Sequence, residues 1–330
     1  MKNTLIIAVA TAGISCQLAT ASIISGAAVA YYSNPFAGKN ISSYDWDGAG
    51  NLYWMEGDNN WAAETKVYKY NGSLSTIYSA SAFAGTWVAH NDNHIYFDNG
   101  SEYAFYKYDV AGGGAPSQVF QQNNAWGYTF HNGGLYISGA DGSWNNQLYY
   151  SALDASGNLA GPLVTLGQMG SPSGPITFDA NGNLFYSAGY TDGKIYKYDA
   201  AEIAGAIAGT QLGDAALHEF IDFNSYGLDG ATGMDFDDDG NLVASLTAFG
   251  SNSKLVEFDI DVSGAYLGTS SVLAESDGRM TTVRNYNGDI YVSDPDGIYQ
   301  AVPEPGTVAL MGVGFGCMAA FRKRRKYMIR

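Results

Sequence analysis

ITFDANGNLFYSA (176–188) carries the pattern that decides the fold: an apolar strand, a tight polar turn, and a second strand of apolar and aromatic residues. In such a turn Asp and Asn satisfy the backbone with short side chains and Gly supplies a positive φ, so the segment reads as a hairpin. The pattern recurs in YDWDGAGNLYWME (44–56), VAHNDNHIYFD (88–98), YTFHNGGLYIS (128–138), MDFDDDGNLVASL (234–246) and VRNYNGDIYVSD (283–294). Six copies of one hairpin make the chain a repeat protein.

The first aliphatic residue after each turn is Leu52, Ile95, Leu135, Leu184, Leu242 and Ile290, at intervals of 43, 40, 49, 58 and 48 residues. A third strand follows in every copy: VYKYN (67–71), FYKYD (105–109), LYYSALD (148–154), IYKYD (195–199), LVEFD (255–259) and GIYQA (297–301). Weaker fourth strands fall at 74–78, 118–120, 163–166 and 271–274. This period fits one four-stranded blade per repeat and predicts an all-β, six-bladed β-propeller over residues 22–301. The sixth copy stops after three strands. The apolar stretch 28–32 is free to supply its fourth, so the N-terminus is expected to close the ring and remove its open edge.

Composition agrees. Charged residues are 15% of the chain, while Gly (42) and Tyr (25) are abundant, which disfavours an all-α fold. Residues 22–301 hold nine basic against thirty-one acidic side chains, a net charge of −22. Such a surface repels phosphate backbones and excludes nucleic acid as a partner. The two cysteines, Cys16 and Cys317, lie in apolar end segments, leaving the body without a disulfide or a cysteine metal site.

Both ends read as targeting segments. Lys2, an apolar run over 5–14 and Ala19-Thr20-Ala21 make residues 1–21 a secretory signal peptide for the Sec machinery. At the other end, Pro303-Glu304-Pro305 precedes an uncharged run, 308–321, and the basic cluster Arg322-Lys323-Arg324-Arg325-Lys326. A helix can begin only after the prolines. Fourteen residues span about 21 Å, a short transmembrane helix whose basic flank favours the cytoplasmic side. This end, 302–330, resembles the PEP-CTERM sorting signal. The resemblance implies an exosortase as partner, a stay at the inner membrane before processing, and then the cell surface or exopolysaccharide matrix of a Gram-negative bacterium. Pro303, Glu304, Pro305, Arg322, Lys323, Arg324 and Arg325 would carry the signal.

Asp179 to Leu184 and Asp237 to Leu242 share a D-x-x-G-N-L turn that resembles the blades of NHL-type, virginiamycin-lyase and gluconolactonase-like propellers. The gluconolactonase-like members hold a metal with channel-facing acids. Here the channel ends of the innermost strands read as Ile41, Trp87, Trp126, Gly174, Gly233 and Thr281, none of them acidic. Asp235, Asp237 and Asp239, with Gly240, begin like a calcium loop, yet Val243 and Leu246 stand where a downstream acid is needed. Turn geometry alone accounts for these aspartates, and calcium is the one cofactor the sequence offers a place for. His90, His94 and His131 fall in or beside first-to-second-strand turns, opposite the face that propellers use, so no catalytic residue is assigned.

The second-to-third-strand connections and those between blades open on one face. They place Asp58, Trp61, Asp98, Asp141 and Trp144 there, with Trp87 and Trp126 at the starts of innermost strands. Aromatic plates among carboxylates form an expected sugar- or cation-binding funnel; the alternative is that the tryptophans fill gaps between blades. The expected function is non-enzymatic binding of polysaccharide or a surface protein at the cell envelope. The alternative is a secreted hydrolase or lyase acting on a sugar-derived substrate.

Overall fold

The computed structural model describes residues 25–302 apart from 27, 59–63, 82–84, 100–103, 123–124, 171 and 249–250. The expected leader, Pro303-Glu304-Pro305, the expected membrane helix, the basic tail and Trp61 lie outside the described residues, as does the side chain of Asp58. No helix among the described residues is long and apolar enough to cross a membrane.

Two short strands, β1 (Ser25–Gly26) and β2 (Ala28–Ser33), precede the first blade. Blade one is β3 (Lys39–Trp46), β4 (Leu52–Asp58), β5 (Thr65–Tyr70) and β6 (Leu74–Ala80). Blade two is β7 (Val88–Asn91), β8 (His94–Asn99), β9 (Ala104–Asp109) and β10 (Ser117–Gln121). Blade three is β11 (Ala125–His131), β12 (Gly134–Ala140), β13 (Asn146–Ala152) and β14 (Val164–Gln168). Blade four is β15 (Ile176–Phe178), β16 (Leu184–Ser187), β17 (Lys194–Tyr198) and β18 (Glu219–Asp222), with helix α1 (Ala200–Ile207) between its last two strands. That insertion explains the 58-residue interval between Leu184 and Leu242. Blade five is β19 (Gly230–Phe236), β20 (Leu242–Ala248), β21 (Ser251–Ile260) and β22 (Tyr266–Ser276). Blade six is β23 (Val283–Tyr286), β24 (Asp289–Asp294), β25 (Gly297–Ala301) and, on its outer edge, β2.

The N-terminal strand therefore closes the ring: Ala28 pairs with Ala301 and Ser33 with Gly297. β1 adds a contact the sequence did not announce, pairing Ser25 with Glu275 and Gly26 with Ala274 on blade five. Residues 25–33 thus stitch two blades together.

The six marker residues are buried, at 0–8% exposure, where each second strand packs into a gap between blades. The position three residues later is Met55, Asp98, Ser138, Ser187, Ser245 and Ser293. Several of these bond the backbone at the start of an innermost strand. Ser245 donates to the Thr281 carbonyl at 2.7 Å, and Ser138 and Ser173 share their hydroxyls. Gly127 lies against the Gly174 carbonyl, and Gly233 against the backbone of 281–283, closer than any Cβ would allow. The innermost strands of blades three to six consequently crowd the axis.

Candidate functional site

Six turns share one construction. In Asp47, Asp141, Asp154, Asp179, Asp237 and Asp261 the carboxylate accepts the N–H four residues on, at 2.7–2.9 Å. The N–H three residues on bonds back to the aspartate carbonyl. That third residue is left-handed, and it is Gly50, Gly157, Gly182, Gly240 and Gly264 in five cases. In the sixth it is Trp144, at φ +66° and 74% exposed. The first five lie at first-to-second or third-to-fourth-strand connections; the Trp144 turn joins β12 to β13 on the opposite, funnel face. Asp141, expected as a funnel acid, spends its carboxylate on this turn, and hydrogen bonds from Asn145 hold it below the usual aspartate range.

Trp126 shares that face. β11 shifts register between Ala125 and Gly127, so Trp126 is the extra residue of a bulge. Bulges re-aim side chains; Trp126 is 39% exposed, its N–H held by Ser173 Oγ at 3.0 Å and its ring 5.9 Å from Tyr190. Thr191, next to Tyr190, has φ +69°. Among the described residues the other non-glycine positions at positive φ are Asp92, Asn132 and Asn287, types that tolerate it. The two that do not, Trp144 and Thr191, both stand on the funnel-face loops of blades three and four. Strain of this kind clusters at binding surfaces.

Trp87 and Asp98 are placed differently from the funnel expected of them. Trp87 is 6% exposed and packs on Phe105, Tyr128 and Phe130 in the gap between blades two and three. Asp98, 5% exposed, accepts the N–H groups of Thr86 and Trp87 at 2.8 and 2.7 Å. Burial pushes its carboxyl up to about 6 against those hydrogen bonds.

A group the sequence reading missed lies deeper. Arg284 reaches from blade six to donate to the Val88 carbonyl on blade two at 2.9 Å, passing 3.6 Å from Asp45 of blade one. Asp45 accepts His90 N–H and Asp235 accepts Asn285 N–H, each tying adjacent innermost strands. Burial raises both carboxyls, and the Arg284 guanidinium opposes it. The only signal in the sequence was a charged residue, Asp45, Asp235 or Arg284, within three of the innermost strands. Of the calcium-loop aspartates, Asp235 thus faces a neighbouring strand, Asp237 holds Asn241 at 2.7 Å, and Asp239 is exposed. Among the described residues no three His, Cys, Asp or Glu side chains are grouped to hold a metal. Above Arg284 the axis keeps a cavity of roughly 30 Å³ bordered by Trp87, Trp126, Tyr128, Met234 and Thr282, room for a water or two.

Fold and site define a six-bladed propeller with an aromatic rim on one face. Residues 301–326 match the PEP-CTERM protein-sorting motif, which marks the protein as exported, held at the membrane and then processed by an exosortase. No curated protein matches the chain. Among solved structures it is similar to a luciferin-regenerating enzyme (12% identity, TM-score 0.55, 86% of this chain and 96% of that one). It is also similar to the PQQ-bound aldose sugar dehydrogenase of Streptomyces coelicolor (12%, 0.53, 85% and 99%). A chain of a nidogen/laminin complex matches at 17% and 0.53, over 74% and 86%. At these identities the likeness is one of fold.

Proposed function

We propose that this protein is a non-enzymatic binding component of the cell envelope or extracellular matrix of a Gram-negative bacterium, and that its rim of Trp126, Trp144 and Tyr190 stacks on a polysaccharide. A Sec leader at 1–21 would export it and the sorting signal would hold it at the inner membrane until processing. The observation that carries the reading is Trp144: an exposed indole held in a conformation that five sister turns assign to glycine. Indole faces suit the C–H faces of sugar rings, and an exposed one at strained backbone is costly to keep without a partner. The net charge of −22 over residues 22–301 favours a neutral or amino-bearing polymer over a polyuronate.

Binding on the rim, rather than chemistry in the channel, is favoured by size. The axial cavity of roughly 30 Å³ compares with about 300 Å³ or more for a small-molecule site. In this reading Asp237 serves turn geometry and Asp235 ties blade five to blade six, and no metal is required. A glycan array on the processed protein tests it: binding to neutral or amino polysaccharides, lost in Trp126→Ala and Trp144→Ala, supports the reading. Turnover of lactones or polyuronates, abolished by one funnel-face aspartate change, would establish the hydrolase or lyase alternative. Capture of a surface protein with no glycan binding would replace polysaccharide by protein as the ligand.

A further inference from the structure

The sorting motif and the propeller overlap. The matched segment begins at residue 301, and Ala301 is the last residue of β25; it pairs with β2, while Gly297 to Gln300 just before it pair with β24 as well. Ala301 faces Ala28, Gln300 faces Val29 and Tyr299 faces Ala30. Only Val302 separates this strand from Pro303. Enzymes that act on a peptide bond in a chain hold the substrate extended, by backbone groups and alternate side chains. Upstream of the motif those backbone groups are spent on two strand ladders, and Ala301 is 6% exposed.

We infer that β2 is a clamp on the sorting site: the motif is processed while β25 is free of β2, and pairing of the two strands withdraws it. β2 is made before every strand of blades one to five and β25 after them, so their pairing closes the longest loop in the ring and comes late. Export therefore leaves an interval in which the tail is open to the exosortase. After closure, processing runs at the rate at which β2 peels away. Peeling is cheaper than unfolding the domain, because β2 is an edge strand with Val29 57% and Tyr31 48% exposed. The inference rests on the sorting motif and the pairing of β2, and is independent of what the rim binds.

The test follows conversion of the membrane-held precursor to the processed form, using the full chain in an exosortase-bearing host. Ala28→Cys with Ala301→Cys links cross-strand partners, with Cys317→Ser removing a competing thiol. Oxidised, this chain should convert about tenfold more slowly or worse, and reduction should restore it. A second variant leaves the pairing intact and inserts about ten Gly and Ser residues between Val302 and Pro303. It should convert several times faster than the natural chain with an unchanged melting temperature. Conversion of the oxidised chain at the natural rate, or no acceleration by the linker, overturns the inference.

Discussion

Asp98 Oδ1 accepts the backbone N–H of Trp87 at 2.7 Å inside the gap between blades two and three. Two residues that read as ligand-facing in the sequence are thus bonded to each other in the core. The consequence is a pH dependence. The folded carboxyl titrates at about 6, above the unfolded value near 3.9. Its contribution is fully present below the unfolded value and is lost as pH rises through 6. Lowering the pH from 7.5 to 5 should therefore stabilise the protein by about 1 kcal/mol through Asp98, with a limit near 3 kcal/mol. Below about pH 4 the trend should reverse, as Asp141, Asp154 and Asp261, held low by turn hydrogen bonds, become protonated. Asp98→Asn keeps an acceptor for both N–H groups and should flatten the rise. Urea midpoints across pH check this; parallel profiles for the two proteins would refute it.

Arg284 is the counter-charge for two half-buried carboxylates, and its side chain and that of Asp45 are each 18% exposed. Arg284→Met leaves both aspartates without it and should cost roughly 2–3 kcal/mol, below the range for a fully buried pair because water still reaches the site. Adding Asp45→Asn should recover part of the loss. Chemical denaturation of the single and double variants checks the coupling; a loss under about 0.5 kcal/mol would show that the cluster is screened.

The closing strand should be needed for stability. Deleting residues 22–33 bares the outer edges of β25 and β22 and removes Tyr31 and Tyr32 from their contacts with Trp46, Trp54 and Tyr291. The melting midpoint should fall by at least about 5 °C, with aggregation through the open edges. An unchanged melting curve would mean that the ring closes without it.

Trp144→Gly should make the protein more stable, by about 1 kcal/mol, since glycine adopts the left-handed conformation without strain. Calorimetry should find a rise of about 2–4 °C. A fall would show that the indole contributes more through packing than its backbone costs.

Much of the architecture was legible because each blade repeats a hairpin whose turn chemistry and apolar marker are local. All six markers are buried, and the closing strand was betrayed by a missing fourth strand. The fourth strand of blade four was hidden by α1, an alanine-rich insertion with no counterpart in the other repeats. The rim was harder to read. Trp87 and Trp126 look equivalent in sequence, yet pairing puts Gly127 at the place of Trp87, and a one-residue bulge turns Trp126 out of the sheet. A register shift of one residue exchanges core for surface, and nothing in the composition of either segment announces it. The Arg284 cluster was missed because its three charges come from strands 45, 235 and 284 residues along the chain, joined only by closure of the ring.

The proposed rim is tested most directly by titrating neutral and amino-bearing oligosaccharides into the processed protein and following tryptophan fluorescence. A saturable shift that disappears in Trp144→Gly and Trp126→Ala, while both variants melt as cooperatively as the natural protein, is the predicted result. Saturable binding of undiminished affinity in both variants would contradict it.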